Sequence, residues 1–275
     1  MGIKVAKFGG SSVADGIQLT KTKHIIQADP DRRYIVVSAP GKRFDSDNKI
    51  TDLLYLCKTH IDHNLPYDQI FQVVADRFMA VEINLGIEVD LLKHFEEIRE
   101  NLKKNPTADY VASRGEYLNA VLVAAFLEYD FVDTANLIRF DSKGKLLAEE
   151  TNEAIREELS KHERAVLPGF YGSGPDGNVR TFSRGGSDIT GALVARAVNA
   201  DVYENWTDVS GFLIADPRIV KGSKSIETIT YKELRELSYM GASVLHEDAI
   251  FPVRNCGIPI NIRNTNEPEN PGTII

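Results

Sequence analysis

The sequence predicts an α/β sandwich, because segments typical of strands and segments typical of helices alternate from end to end. The first strand, at residues 3–8, runs directly into Gly9-Gly10-Ser11-Ser12. Residues 34–38 form a short apolar run ending in Ala-Pro-Gly, the pattern of a parallel strand buried on both faces. A hydrophobic content of 43% and the lack of any low-complexity linker favour one continuous domain with two lobes.

Helical periodicity extends over residues 52–104, where Leu53, Leu54, Leu56 and Cys57 are expected to share one face. Residues 116–127 are apolar almost all round, which predicts a central helix. The later elements continue the alternation: strand 165–170, turn 172–177, returning strand 178–182, helix 189–198, strand 202–206, helix 231–239 and strand 259–263.

Composition excludes several classes of protein. The 32 Lys and Arg against 40 Asp and Glu give a net charge of −8, which argues against nucleic acid or an anionic membrane as the main partner. Cys57 and Cys256 are too few and too far apart for a disulfide framework, and no signal peptide is visible. The longest uncharged apolar run, 120–127, is far shorter than the ~20 residues of a membrane span. We therefore expect a soluble, cytoplasmic protein.

Two patterns favour structural interpretations. Gly172 to Gly177 fits G-x-G-x-x-G, but a dinucleotide fingerprint must open a helix, whereas Pro175-Asp176-Gly177 is a turn signal followed by a strand. The protein-kinase motifs His-Arg-Asp and Asp-Phe-Gly are missing too, so a hairpin is favoured. Cys57, His60 and His63 share helical spacing, but without a fourth ligand we expect a solvated face rather than a metal site.

Two glycine turns carry better candidates. Lys7 precedes Gly9-Gly10-Ser11 at the end of the first strand, where α/β sheets place their ligands. Successive N–H groups of such a turn can bind a phosphate, and the lysine can stabilise charge on a transferring phosphoryl group. The alternative is a plain glycine turn with an exposed lysine.

The second turn, Ser183-Arg184-Gly185-Gly186-Ser187-Asp188, leads into a helix. Arg184 offers a bidentate fork to a carboxylate or phosphate, and Ser187 or Asp188 can cap the helix. The alternative is an ordinary capped turn.

Together these turns resemble those of the aspartokinases, within the amino-acid kinase family. The resemblance runs in order from residue 4 to residue 275, and it includes five further motifs: Arg114-Gly115-Glu116, Pro168-Gly169-Phe170, Trp206-Thr207-Asp208-Val209-Ser210-Gly211, Asp216-Pro217-Arg218 and Met240-Gly241-Ala242-Ser243-Val244-Leu245-His246. It implies a three-layer α/β/α sandwich with a mainly parallel central sheet. Residues 1–200 would form an amino-acid-binding lobe and residues 201–275 a nucleotide-binding lobe.

The resemblance implies ATP-dependent phosphorylation of the β-carboxylate of L-aspartate, the entry to lysine, threonine and methionine synthesis, with Mg²⁺ as cofactor. No dedicated metal ligands are expected, because Mg²⁺ is held largely by nucleotide phosphates and water. The nucleophile is already ionised at neutral pH, so the reaction needs positioning and charge neutralisation rather than a base.

The resemblance also assigns roles to individual residues. Lys7 would bridge the phosphates, Asp188 would orient Lys7, and the N–H groups of Gly9, Gly10 and Ser11 would hold the ATP phosphates. The remaining assignments fall on two subsites. At the amino-acid subsite, Arg184 with Ser187 would bind the aspartate α-carboxylate, and Thr51 and Glu116 would complete the site, with Glu116 pairing with the α-ammonium. At the nucleotide subsite, the contacts would come from Thr207, Asp208, Leu213 and Arg218.

The chain departs from the family pattern at several positions. Leu213 stands where many members have a Tyr near the adenine, Ser243 replaces a common Lys, and Glu247 replaces a common Pro. The sequence stops at Ile275, before the paired ACT regulatory domains of longer members. We therefore expect no feedback inhibition in this chain, and a homodimer is left open because those domains commonly form it.

Two other functions remain as alternatives. One is a kinase of another acidic amino acid, such as glutamate or N-acetylglutamate, against which Glu116 argues because it suits a free α-ammonium. The other is a non-catalytic amino-acid or nucleotide sensor, against which the intact Lys7 and Asp188 argue.

Overall fold

The computed structural model describes residues 2–214, 220, 225–239, 245 and 251–275, with the side chains of residues 238 and 239 left out. The strands of this part of the chain are β1 (Lys4–Phe8), β2 (Arg32–Val37), β3 (Asp130–Phe131), β4 (Ala165–Pro168), β5 (Tyr171–Ser173), β6 (Val179–Thr181), β7 (Val202–Thr207), β8 (Ile260–Asn264) and β9 (Thr273–Ile274). Seven of them form one sheet in the order β3-β4-β2-β1-β7-β8-β9. Every neighbouring pair in that sheet is parallel except β8 with β9.

Helices cover both faces of this sheet. The described helices are α1 (Gly16–Gln27), α2 (Ile50–Asp62), α3 (Asp68–Leu85), α4 (Leu91–Leu102), α5 (Ala108–Leu127), α6 (Ala148–Leu159), α7 (Gly186–Ala197), α8 (Tyr231–Tyr239) and α9 (Phe251–Arg254). Ala6 and Phe8 of β1 pack with α1 to α5, whereas Val5 of the same strand packs with α6 to α9. This alternation confirms the predicted three-layer sandwich, because successive strand side chains point to opposite faces.

The helical region predicted at residues 52–104 consists of three helices, α2, α3 and α4. A proline at Pro66 lies between α2 and α3, and Gly86 ends α3 in the left-handed conformation with φ 62°. Helix α2 ends at Asp62, ahead of this proline, whereas Gly86 ends α3 because glycine adopts positive φ without the steric cost of a side chain. Helix α5 begins at Ala108, ahead of the predicted residue 116, where the Thr107 side chain accepts from Tyr110 N.

The glycine-rich segment that fits G-x-G-x-x-G is a hairpin, as predicted. Strands β5 and β6 pair antiparallel on either side of it, with Tyr171 opposite Thr181. A side chain at Gly172 would collide with the carbonyl oxygen of Ile138, so this position requires glycine. The hairpin is tied to the start of α5, because Thr181 donates to Asp109 Oδ1 at 2.9 Å.

The sheet order places a switch point between β1 and β7. The connection from β1 through α1 leads to β2 on one side of β1, whereas the connection through α7 leads to β7 on the other side. In parallel sheets ligands bind beyond the carboxyl ends of strands at such a point, because the two connections leave a crevice there. The crevice here opens at the ends of β1 and β7.

The sheet continues across the predicted boundary between the two lobes. Strand β7 pairs with β1 at five positions, from Lys4 with Val202 to Phe8 with Trp206. The division into lobes at residue 200 stays a prediction about function. Among the described helices, none is both long and apolar enough to cross a bilayer.

Candidate active site

A buried ion pair lies at the switch point. Lys7, near the end of β1, is 7% exposed, and its Nζ lies 2.6 Å from Oδ1 of Asp188 in the first turn of α7. A carboxylate at this end of a helix interacts favourably with the helix dipole. The pair therefore keeps a cation in place beside the ends of the central strands.

Asn205 joins this pair and was not singled out from the sequence. It lies opposite Lys7 in the parallel register of β1 and β7. Its Nδ2 donates to Asp188 Oδ1 at 3.0 Å, and its Oδ1 accepts from Lys7 Nζ at 3.4 Å. The available signal was an asparagine in the strand Val202–Thr207, because a buried amide must find partners.

One N–H group of the first glycine turn already has an acceptor within the fold. The N–H of Gly9 donates to the carbonyl of Trp206 at 2.9 Å, so the predicted role of Gly9 in holding a phosphate stays a prediction that would require this bond to break. Parallel pairing of β1 with β7 extends to this residue and uses the donor. Gly10 and Ser11 begin the 3₁₀ turn Gly10–Val13, so their N–H groups have no acceptor within it and can bind an anion.

Glycines bring the turn against the loop after β2. A side chain at Gly10 would lie 3.0 Å from the carbonyl oxygen of Ala39, and one at Gly115 would lie 2.9 Å from the Ala39 side chain. Ala39 therefore touches both the glycine turn and helix α5. Asn119, one turn further along α5, fixes this loop by donating to Ser38 O at 2.7 Å.

Glu116 is a buried carboxyl at this junction. The backbone N–H of Ala39 bonds to it, but its Oε2 has no partner among the described residues. Burial raises the pKa of Glu116 to about 8, against which the Ala39 bond and the charge of Arg114 act only partly. A lone buried carboxyl oxygen is suited to a cationic group of a ligand, which would pair with it and favour its ionised form.

Thr51 lies on α2, the helix that packs against α5 beside this carboxyl. It is the second residue of α2, next to Ile50, whose Cγ2 would lie 3.1 Å from a side chain at Gly115. The side chain of Thr51 is partly exposed, so it can reach a ligand.

The second glycine turn places Arg184 and Ser187 beside the same strand ends. Arg184 is exposed, and the described residues give it no ion pair. Ser187 packs against the end of β4, because a side chain at Gly169 would lie 2.6 Å from the Ser187 Cβ. The predicted capping by Ser187 or Asp188 is wrong: Gly185, with φ 56°, occupies the N-cap, and the two residues lie inside the first turn.

The predicted nucleotide residues lie on the other side of the switch point. Thr207 ends β7, and its Oγ1 donates to the exposed Asp208 carboxylate at 3.2 Å. Leu213 is half-buried and forms an isolated bridge with Ser225. Arg218 and Ser243 lie outside the described residues, and so does His246.

Cys57 corrects the interpretation of its helix. The thiol is fully buried in the core rather than on a solvated face, and burial raises its pKa to about 12. His60 points elsewhere, with its Nδ1 2.7 Å from the carbonyl oxygen of Pro66. Within the described ranges, no three His, Cys, Asp or Glu side chains gather in a way that could hold a metal ion.

The ends of four strands thus meet around one crevice. The end of β1 and its turn contribute a buried lysine and free turn amides, helix α5 contributes an unpaired buried carboxyl, and the turn before α7 contributes an exposed arginine. A cation next to free amides can stabilise a phosphoryl group, and the carboxyl and arginine can hold the two charged ends of an amino acid.

The chain is similar to known proteins of one family along most of its length. The model of the Amino acid kinase family matches residues 2–264. Aspartokinase 3 of Bacillus subtilis (strain 168) is 40% identical over 290 aligned positions, covering 98% of this chain and 63% of the relative. Lysine-sensitive aspartokinase 3 of Escherichia coli (strain K12) is 27% identical, covering 99% of this chain and 64% of the relative.

Solved structures show the same similarity. The crystal structure of Clostridium acetobutylicum aspartate kinase superposes with a TM-score of 0.96 at 52% identity, covering 100% of this chain and 63% of that protein. The structure of E. coli aspartokinase III in complex with aspartate and ADP superposes with a TM-score of 0.84 at 26% identity, covering 99% of this chain and 64% of that protein. The chain spans slightly less than two thirds of the length of these relatives.

Proposed function

Because the chain belongs to the amino acid kinase family, we propose that it transfers the γ-phosphoryl group of ATP to the β-carboxylate of L-aspartate. The product would be 4-phospho-L-aspartate, the first intermediate of lysine, threonine and methionine synthesis. The observation that carries the proposal is the buried Lys7–Asp188 pair at the switch point, next to the free amides of Gly10 and Ser11. The similarity to aspartokinases along 98% of the chain supports aspartate as the acceptor.

Lys7 would act on the transferred group. Its ammonium is held at the end of β1 before ATP binds, so little reorganisation is needed as negative charge develops on the phosphoryl oxygens. The aspartate β-carboxylate is ionised at neutral pH, so it attacks phosphorus without a general base. Catalysis then depends on alignment and charge neutralisation.

The amino acid would be held by its two α-substituents. Glu116 would pair with the α-ammonium through its lone Oε2, and the Arg184 guanidinium would bind the α-carboxylate. Ser187 and Thr51 would add hydroxyl contacts from the first turns of α7 and α2. This arrangement leaves the β-carboxylate facing Lys7.

ATP would lie along the ends of β1 and β7. The N–H groups of Gly10 and Ser11 would bind phosphate oxygens, while Thr207, Asp208, Leu213 and Arg218 would contact the rest of the nucleotide. Mg²⁺ would enter with ATP and neutralise its phosphates. Asp208 fits this ion, since it is an exposed carboxylate at the end of β7 and Mg²⁺ in kinases needs only one or two carboxylates besides phosphate and water.

The cellular setting is part of the same proposal. Aspartate phosphorylation for amino-acid synthesis suggests a cytoplasmic enzyme acting on small molecules. The net charge of −8 supports the prediction that neither nucleic acid nor an anionic membrane is its main partner. Whether two copies of the chain form a homodimer stays an open question.

The first experiment measures ADP release with Mg-ATP and L-aspartate, L-glutamate or N-acetyl-L-glutamate. We expect turnover with L-aspartate only, and a fall in kcat of at least about a hundredfold in Lys7→Ala. Lys4→Ala is the matched control, because Lys4 lies on the same strand but outside the crevice. Its Nζ pairs with the Asp29 carboxylate at a distance of 2.6 Å. The control should keep its activity.

Each contrary result has a distinct meaning. Turnover with a glutamate in place of aspartate would overturn the substrate assignment. Full activity of Lys7→Ala would overturn the role of the first glycine turn. A folded wild-type chain that binds ATP without turnover would contradict catalysis by this chain alone.

A further inference from the structure

We propose that Asn205 is a positioning residue, whose amide holds the Asp188 carboxylate and the Lys7 ammonium in the arrangement that acts on the transferred phosphoryl group. The inference rests on the proposed function for its effect on rate. The arrangement of the three side chains does not depend on the reaction and is tested separately from the rate.

The polarity of the amide matches both neighbours. The donor Nδ2 faces the carboxylate of Asp188 at 3.0 Å, and the acceptor Oδ1 faces the ammonium of Lys7 at 3.4 Å. Asn205 is 2% exposed, so water does not compete for either end of its side chain. A buried amide with both ends bonded holds its partners firmly, because releasing it would leave polar atoms unsatisfied.

Asp188 needs such support for a simple reason. The torsion that orients a carboxylate is broad, so one salt bridge does not define its angle. Here Oδ1 of Asp188 receives both Lys7 and Asn205, which fixes this oxygen from two directions. If the amide is lost, the carboxylate can rotate and Lys7 will follow it.

A second residue of β7 holds the same helix turn in a different way. Tyr203 donates its hydroxyl to the main-chain carbonyl of Asp188 at 3.0 Å. Gly191 permits this approach, since a side chain there would lie 2.6 Å from the Tyr203 ring. Tyr203 therefore positions the backbone of α7, whereas Asn205 positions the carboxylate.

The test compares the wild type with Asn205→Leu and Asn205→Asp. Leu removes both bonds at similar size, whereas Asp keeps an acceptor for Lys7 but places a second carboxylate beside Asp188. We expect kcat to fall about a hundredfold in both variants, because small misplacements of a catalytic group have effects of that order. KM for aspartate should stay within about twofold, since Asn205 contacts none of the proposed aspartate ligands.

Two control variants isolate the amide. Asn261→Leu changes an asparagine on the neighbouring strand β8, in register with Glu204, and should leave kcat unchanged. Tyr203→Phe removes a bond to the same helix turn but not to the carboxylate, so it should lower kcat far less than Asn205→Leu. Equal losses of kcat in Tyr203→Phe and Asn205→Leu would overturn the inference, as would an unchanged kcat in both Asn205 variants.

Crystal structures of the wild type and Asn205→Leu separate this inference from the proposed function. We expect the Asp188 carboxylate to rotate away from its wild-type position in the variant, and the Lys7 ammonium, which lies 2.6 Å from it in the wild type, to move with it. An unchanged pair would overturn the inference even if activity fell. A wild type inactive on aspartate would overturn the proposed function, and the crystal structures would then decide the positioning. If Asn205→Leu fails to fold, the isosteric Asn205→Asp serves for both measurements.

Discussion

The charge of Glu116 is set by its neighbours in space. Its carboxyl is buried with one unpartnered oxygen, and burial raises its pKa to about 8. Near neutral pH the free protein therefore holds Glu116 mostly protonated. An α-ammonium would pair with the ionised form, so aspartate binding should release a proton below pH 8.

This linkage predicts that aspartate affinity rises with pH. Well below pH 8 the gain should approach about tenfold per pH unit, and it should level off above pH 8. Glu116→Gln should bind aspartate weakly with little pH dependence, whereas Glu157→Gln, an exposed control, should behave as the wild type. Titration calorimetry from pH 6 to 8, in buffers of different ionisation enthalpy, measures both affinity and proton release. Binding that is independent of pH would contradict the assignment of Glu116 to the ammonium.

The same raised pKa has the opposite effect on the stability of the unliganded protein. The carboxyl ionises near its ordinary value of 4.5 when unfolded but near 8 when folded, so the unfolded state binds fewer protons between these values. Folding stability contributed by this group is full below pH 4.5 and is lost as pH rises toward 8. Glu116→Gln should therefore gain in Tm relative to the wild type as the pH increases across this window.

The loop between β2 and α2 depends on one buried arginine from another element. Arg77 of α3 donates to the carbonyl oxygens of Asn48 and Gly41, each at 2.5 Å. Its guanidinium also lies 3.4 Å from Asp47 in the same loop. This loop leads directly into α2 and hence to Thr51, so α3 supports the proposed aspartate site without touching it.

Arg77→Met should detach this loop. We expect a loss of about 3 kcal/mol in the free energy of unfolding, because the substitution removes the buried guanidinium from the Asp47 carboxylate and leaves the two carbonyl oxygens without their donor. KM for aspartate should rise about tenfold. The control is Arg43→Met, since Arg43 pairs with Asp47 from the exposed side and should contribute less than about 1 kcal/mol. Urea denaturation and initial rates measure the two effects, and an unaltered KM in Arg77→Met would argue against loop support.

Over the whole molecule the sheet joins the two predicted lobes. Strand β7, in the predicted nucleotide lobe, pairs with β1 on one side and β8 on the other. Trp206 of β7 stacks on Phe8 of β1 with ring centroids 5.9 Å apart. Separating the lobes would break this pairing and expose both aromatic rings.

We therefore expect a single unfolding transition. Trp206 is the only tryptophan in the sequence, so its fluorescence reports the β1–β7 contact directly. The fluorescence midpoint in urea should coincide with the loss of helix measured by far-ultraviolet circular dichroism. Two separated midpoints would show instead that the lobes unfold independently.

Several features of the fold and site could be predicted from local pattern. Alternating strand and helix signals predicted an α/β sandwich, the family resemblance implied its three layers, and a turn signal at Pro175-Asp176-Gly177 predicted the hairpin. Lys7 and the glycines after it were recognisable because a glycine turn at the end of a strand has a known chemical use. The limits of the helices were predicted less accurately than their existence. Helix α5 begins at Ala108 rather than at the predicted residue 116, and the Thr107 side chain caps it.

What the sequence determined by itself is therefore the class of fold, the family and the chemical groups available to the crevice. The tertiary structure alone decided that Asn205 bonds to Lys7 and Asp188, that Gly9 donates to Trp206, and that Glu116 keeps one oxygen unpaired. Strand order and register bring together residues almost two hundred positions apart, such as Lys7 and Asn205. The two-residue period of a strand predicts which face a side chain occupies, but only packing between distant segments selects its neighbours.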